Sequence, residues 1–167
     1  MKAYTSQRTK KIEYIVVHHT GCVAPAKNFI MALENYAKAG KTVGSADYFV
    51  DDNSVEQYND NIRFCYTWHS GIKFANGLYN YDNGTTSAVQ PICTNDNSIG
   101  VEMCNISGAP DWKVSDATIN RAIKLIKLLQ DTYGIPDKNV IFHYDVTKKN
   151  CPFPATRTRF MELFKNS

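Results

Sequence analysis

At 167 residues, 43% of them hydrophobic, the chain matches the size of one compact domain with a full core. Its net charge of +3, without any block of five or six like charges, gives nucleic-acid binding no support, and it has no run of eighteen apolar residues to cross a membrane. Five cysteines, Cys22, Cys65, Cys93, Cys104 and Cys151, are an odd number without regular spacing, which argues against a secreted disulfide framework and for synthesis in a reducing compartment.

The first apolar run, "KIEYIVVHHT", is β-branched and ends in polar residues, the pattern of a central strand buried on both faces. It lacks a small-residue cleavage site, so no export signal is expected and synthesis is expected in the cytoplasm. "PAKNFIMALENYAKAG" follows, with Pro25 near the start, Phe29, Ile30, Leu33, Tyr36 and Ala37 at helical spacing, and Gly40 as a stop. "ADYFVDDNSVEQYND" reads as two short strands joined at Asp52 and Asn53. From Gly71 to Asn97 the chain is rich in Gly, Asn, Asp, Thr and Tyr without an apolar period, which predicts a long, substrate-facing loop.

"NSIGVEMCN" is a second buried strand, and it sets Glu102 among Ile99, Val101 and Met103, company a carboxylate normally avoids. "SDATINRAIKLIKLLQDTYG" starts at Ser115 as N-cap, repeats Ile119, Ala122, Ile123, Ile126 and Leu129 on one face, and stops at Gly134. "NVIFHYD" predicts a strand ending at His143, and "ATRTRFMELFKN" a last helix with Phe160, Leu163 and Phe164 on one side. Strands alternating with helices give the α/β class, one mixed β-sheet flanked by helices, in a single domain over residues 1–167.

Three metal-ligand types fall at or beyond predicted strand ends: His18, His143, and Cys151 on the loop that follows. The crevice past the carboxyl ends of such strands is where α/β sites assemble. Two imidazoles and a thiolate, leaving one position for water, form the open pattern of catalytic zinc. The plainer alternative is a core histidine and a buried free thiol, and His19 competes with His18, since strand alternation turns only one of them inward. A zinc hydrolase also needs a proton carrier, for which Glu102 is the candidate, and a cation for the oxyanion, for which Lys149 and Lys148 both qualify. The ordinary alternatives are a solvent-facing carboxylate and a solvated lysine.

Together, "IVVHHT", "WHSG", "SIGVEMC" and "FHYDVTKKNCPFP" occur in an order that resembles the zinc-dependent N-acetylmuramoyl-L-alanine amidases of the type-2 amidase and peptidoglycan-recognition superfamily, phage endolysins included. The resemblance implies that superfamily's fold and hydrolysis of the bond between N-acetylmuramic acid and L-alanine in bacterial cell-wall peptidoglycan, hence a monomeric bacteriolytic or wall-remodelling enzyme. It implies Zn2+ on His18, His143 and Cys151, Glu102 as general base, Lys149 as second catalytic group, and His69 and Trp68 of "WHSG" in contact with substrate. For His69 a loop-fixing structural role stands as the equal alternative. One departure concerns the catalytic tyrosine that some short members carry before the hairpin strand: Ala46 and Asp47 stand there, Tyr48 is offset, and the burden falls on Glu102. A peptidoglycan-binding module without activity is the competing reading, and the complete ligand set argues against it.

Overall fold

A computed structural model describes residues 2–167. The strands and helices run in the order β1 (Thr5–Gln7), β2 (Tyr14–His19), α1 (Ala26–Lys38), β3 (Tyr48–Val50), β4 (Val55–Gln57), β5 (Cys65–Thr67), β6 (Ile72–Ala75), β7 (Leu78–Tyr81), β8 (Thr86–Ser87), β9 (Ser98–Met103), α2 (Asp116–Tyr133), β10 (Val140–Phe142), α3 (His143–Thr147) and α4 (Pro154–Lys165). The central sheet has the order β10-β2-β9-β3-β4. Its first four strands are parallel, and β4 turns back antiparallel through the expected hairpin. The Asp51 carboxylate closes that turn by accepting from the backbone N–H groups of Asn53 and Ser54.

Alternation along the strands sorts the two faces. Ile15, Val17, Ile99, Val101, Met103 and Val50 meet the apolar stripe of α2 (Ile119, Ala122, Ile123, Ile126, Leu129) and Phe160 and Phe164 of α4 in the main core. Ser115 caps α2 by accepting from the Thr118 N–H at 3.0 Å, and Gly134 ends it in the left-handed conformation at φ +68°. On the other face Phe49 packs with Ala26 and Leu33 of α1. The rest of α1's apolar side is only partly covered, and Tyr36 is exposed, because this side walls a cleft rather than a core.

The structure corrects two expectations. The segment from Gly71 to Asn97 is not a plain loop: β6, β7 and β8 form an antiparallel meander there. Its period was hidden because neither face of this small sheet is deeply buried, so no apolar alternation was needed. The strand before the second ligand histidine ends at Phe142, and His143 opens the short helix α3. The central mixed sheet flanked by helices is as expected, and the described residues add a β1–β5 ribbon besides the meander.

Candidate active site

The parallel pairing of β2 with β9 sets His18 opposite Glu102, so both side chains leave the sheet on the same face near the strands' carboxyl ends. Pairing of β10 with β2 brings His143, one residue past β10, beside His18. The chain then turns through α3 and returns, with the Tyr144 N–H donating to the Cys151 carbonyl at 2.9 Å, which lays Cys151 over the two imidazoles. His18, His143 and Cys151 are buried, and their ligand atoms lie within 4.8 Å of one another, the one such group among the described residues. His19 points to the opposite face, where its ring meets Trp112 and Phe153 and accepts from Asn105. The alternative that strand spacing left open is thereby decided in favour of His18 for this cluster.

The cluster fits a zinc ion. His18 Nδ1 stands 3.1 Å from His143 Nδ1 and 3.9 Å from Cys151 Sγ. Tetrahedral zinc with nitrogen at about 2.0–2.1 Å and sulfur at about 2.3 Å needs separations of about 3.3 and 3.6 Å. The donors are also in the right state on one side only. Burial drives both imidazoles toward neutrality, His18 well below its ordinary pKa and His143 to about 4, so their lone pairs are free. Burial pushes the Cys151 thiol up to about 12, so its thiolate needs a cation beside it, and binding releases a proton.

His18 is braced from behind. Its Nε2 lies 3.2 Å from His69 Nδ1, the His69 Nε2 lies 3.2 Å from Ser98 Oγ, and that hydroxyl donates to the Thr94 carbonyl. Read as a directed chain, Nε2–H of His18 donates to His69, which donates to Ser98, and Nδ1 of His18 is left bare toward the cluster. His69 is buried, with both ring nitrogens engaged inside the protein. Gly100 makes room for it: a Cβ there would sit 2.5 Å from His69 Cγ. The backbone N–H groups of His69 and Ser70 both donate to Asn95 Oδ1, which fixes the "WHSG" turn. Trp68, 36% exposed, stands on the cleft wall with Nε1 donating to Ser6 Oγ.

Glu102 lines the cleft, but its Oε2 is shut away from solvent with no hydrogen-bond partner. Desolvation raises its pKa to about 7, against a smaller lowering by Lys149. Lys149 Nζ lies at the cleft, 3.1 Å from Asp82 Oδ2, whereas Lys148 turns away and lays its ammonium over the Tyr144 ring. The cleft, about 510 Å3, extends from this cluster along α1, past Phe29, Leu33, Tyr36 and Val43.

Two acidic residues have structural roles that no sequence motif announces. Asp47, at the position where a tyrosine was absent, is a fully buried brace whose carboxylate accepts from Asn59, Thr67 and the Gly100 N–H. Tyr48 pairs in register with Val101 and so faces away from Glu102. Asp82, in the turn after β7, reaches Lys149 and His143. Its only signal was turn chemistry, the Asp-Asn-Gly run between two polar strands.

A family model described as N-acetylmuramoyl-L-alanine amidase matches residues 8–154. A curated relative from Bacillus licheniformis, a probable N-acetylmuramoyl-L-alanine amidase, is 31% identical over 147 residues, which is 87% of this chain and 38% of that protein. The chain thus spans well under half the length of that relative. Among solved structures, PlyL superposes with a TM-score of 0.68 at 26% identity, covering 95% of this chain and 85% of that one. The catalytic domain of XlyA gives 0.65 at 27%, covering 93% and 85%. With its mixed sheet, its flanking helices and the motifs in place along nearly its whole length, the chain belongs to the type-2 N-acetylmuramoyl-L-alanine amidase family.

Proposed function

We infer that the protein is a zinc-dependent N-acetylmuramoyl-L-alanine amidase, hydrolysing the amide between the lactyl group of N-acetylmuramic acid and the L-alanine of the stem peptide. The observation that carries this reading is the convergence of His18, His143 and Cys151 beside a carboxylate held near neutrality by burial. Zinc on those three residues supplies a Lewis acid that acidifies water and polarises a carbonyl. The protein's own groups do the rest. Glu102, whose carboxyl is raised to about 7 by burial in the metal-free chain, accepts the proton of the attacking water and returns it to the departing alanine nitrogen. The Lys149 ammonium meets the negative charge that grows on the carbonyl oxygen. His69 holds His18 in one tautomer, which fits the loop-fixing role better than contact with substrate. The cleft along α1, with Trp68 at its wall, receives the glycan and peptide.

The described residues act as the catalytic domain and as a monomer, on the bacterial cell wall, in lysis or wall remodelling. Among them no helix is long and apolar enough to cross a membrane. The test is zinc content together with clearing of purified cell walls. The parent and His19→Ala should each hold close to one zinc and clear walls, whereas Cys151→Ser should lose both. Equal zinc in the parent and Cys151→Ser, or wall binding without clearing by the zinc-loaded parent, would overturn the reading.

A further inference from the structure

The meander turn grips the segment that carries two of the three ligands. Asp82 Oδ2 lies 3.1 Å from Lys149 Nζ and 3.4 Å from His143 Nε2, so one carboxylate oxygen faces both groups. The next residue, Asn83, donates from its side chain to the Thr147 carbonyl at 2.5 Å. Two consecutive turn residues thus clasp the stretch from His143 to Lys149. The clasp is anchored from the "WHSG" turn: the Asp82 N–H donates to the Gly71 carbonyl at 2.8 Å. Gly71 has φ +69°, and a Cβ there would lie 2.5 Å from the Asp82 carboxyl carbon. Glycine is required at that position by the place Asp82 occupies as well as by its own backbone.

We propose that Asp82 is a positioning residue of the active site, which holds the Lys149 ammonium at the cleft and orients the His143 ring through its Nε2–H. The proposal rests on the amidase reading above. A ligand imidazole whose far N–H meets a carboxylate is fixed in ring orientation and tautomer, with the near nitrogen left for the metal. His143 Nε2 is shut away from solvent without a well-aligned hydrogen bond, and the Asp82 carboxylate oxygen 3.4 Å away is the acidic group it faces. Lys149 is 55% exposed, and an unpaired lysine there would spread over many rotamers; the pairing with Asp82, itself 25% exposed, narrows them to those that keep the ammonium at the cleft.

Three variants of the full chain separate the two duties. Asp82→Ala should weaken zinc binding about ten- to a hundredfold by chelator competition and lower kcat with KM nearly unchanged. Asp82→Asn keeps an oxygen for the His143 N–H but no charge for the ammonium, so it should recover zinc affinity and not kcat. Gly71→Ala, which displaces the carboxylate without removing it, should resemble Asp82→Ala. In a Lys149→Met background, Asp82→Ala should cost much less in kcat than it does in the parent. Unchanged zinc affinity and kcat in Asp82→Ala, additive losses with Lys149→Met, or a loss confined to KM would each overturn the proposal. A parent that binds no zinc or cleaves no peptidoglycan would instead defeat the amidase reading, so the two failures are distinct.

Discussion

Replacing Glu102 with glutamine should make the metal-free protein relatively more stable as pH rises, while abolishing most of its activity. The folded chain holds the Glu102 carboxyl at about 7 because burial disfavours its charged form, whereas an unfolded glutamate sits at 4.5. Between those values the folded state binds more protons than the unfolded one, so stability is lost as pH rises through the window. A difference of about 2.5 in pKa corresponds to about 3 kcal/mol at full ionisation. Glutamine never ionises and escapes this loss, although its amide has a fixed cost of its own. The fixed cost cancels when the melting-temperature gap between variant and parent at pH 4.5 is subtracted from the gap at pH 8.5. For a chain of this size about 3 kcal/mol corresponds to a gap widening by about 6–12 °C in the variant's favour. Thermal melts of chelator-treated protein across that range measure it, and the same variant loaded with zinc should lose about two to four orders of magnitude in turnover on peptidoglycan. A gap that stays constant across the range would show that the carboxylate is not held in a desolvated pocket. Near-parental turnover would move the general base elsewhere.

Lys149→Met should lower turnover by at least about a hundredfold with zinc content kept, whereas Lys148→Met, whose ammonium lies over Tyr144 and outside the cleft, should change little; steady-state rates on cell walls compare them. Gly100→Ala should force His69 off its place, since its Cβ would meet the ring at 2.5 Å. With Ser98 and His18 then unbraced, zinc affinity should fall and the melting temperature drop by several degrees, and a variant indistinguishable from the parent would remove His69 from the support of His18.

Much of the site is legible along the chain because its residues sit at the ends of elements with strong local signals. "YIVVHH" and "SIGVEM" announce buried strands, and parallel register carries His18 and Glu102 to one place. Ser115 and Gly134 bound α2 by capping chemistry that involves only nearby residues. Choosing His18 over His19 needed the sheet's face, which depends on what packs against it from far along the chain. The meander has one local signal: Asn76 and Gly77 both have positive φ, the geometry of a tight hairpin turn, and Asn-Gly between aromatic strands specifies it. The polar composition around the turn masks it, because a lightly buried sheet has no apolar alternation to display. Asp82, Ser98 and Asp47 carry no sequence signal of their role, since each acts on groups tens of residues away.

If the cleft works as proposed, it cuts one particular bond and needs zinc to do so. Mass spectrometry of purified peptidoglycan digested by the zinc-loaded protein tests it most directly. The expected products are stem peptides with free L-alanine amino termini and intact glycan strands, with no such products after chelator treatment until zinc is restored. Cleaved glycan strands, cuts within the stem peptide, or the same products at full yield in the metal-free protein would contradict it.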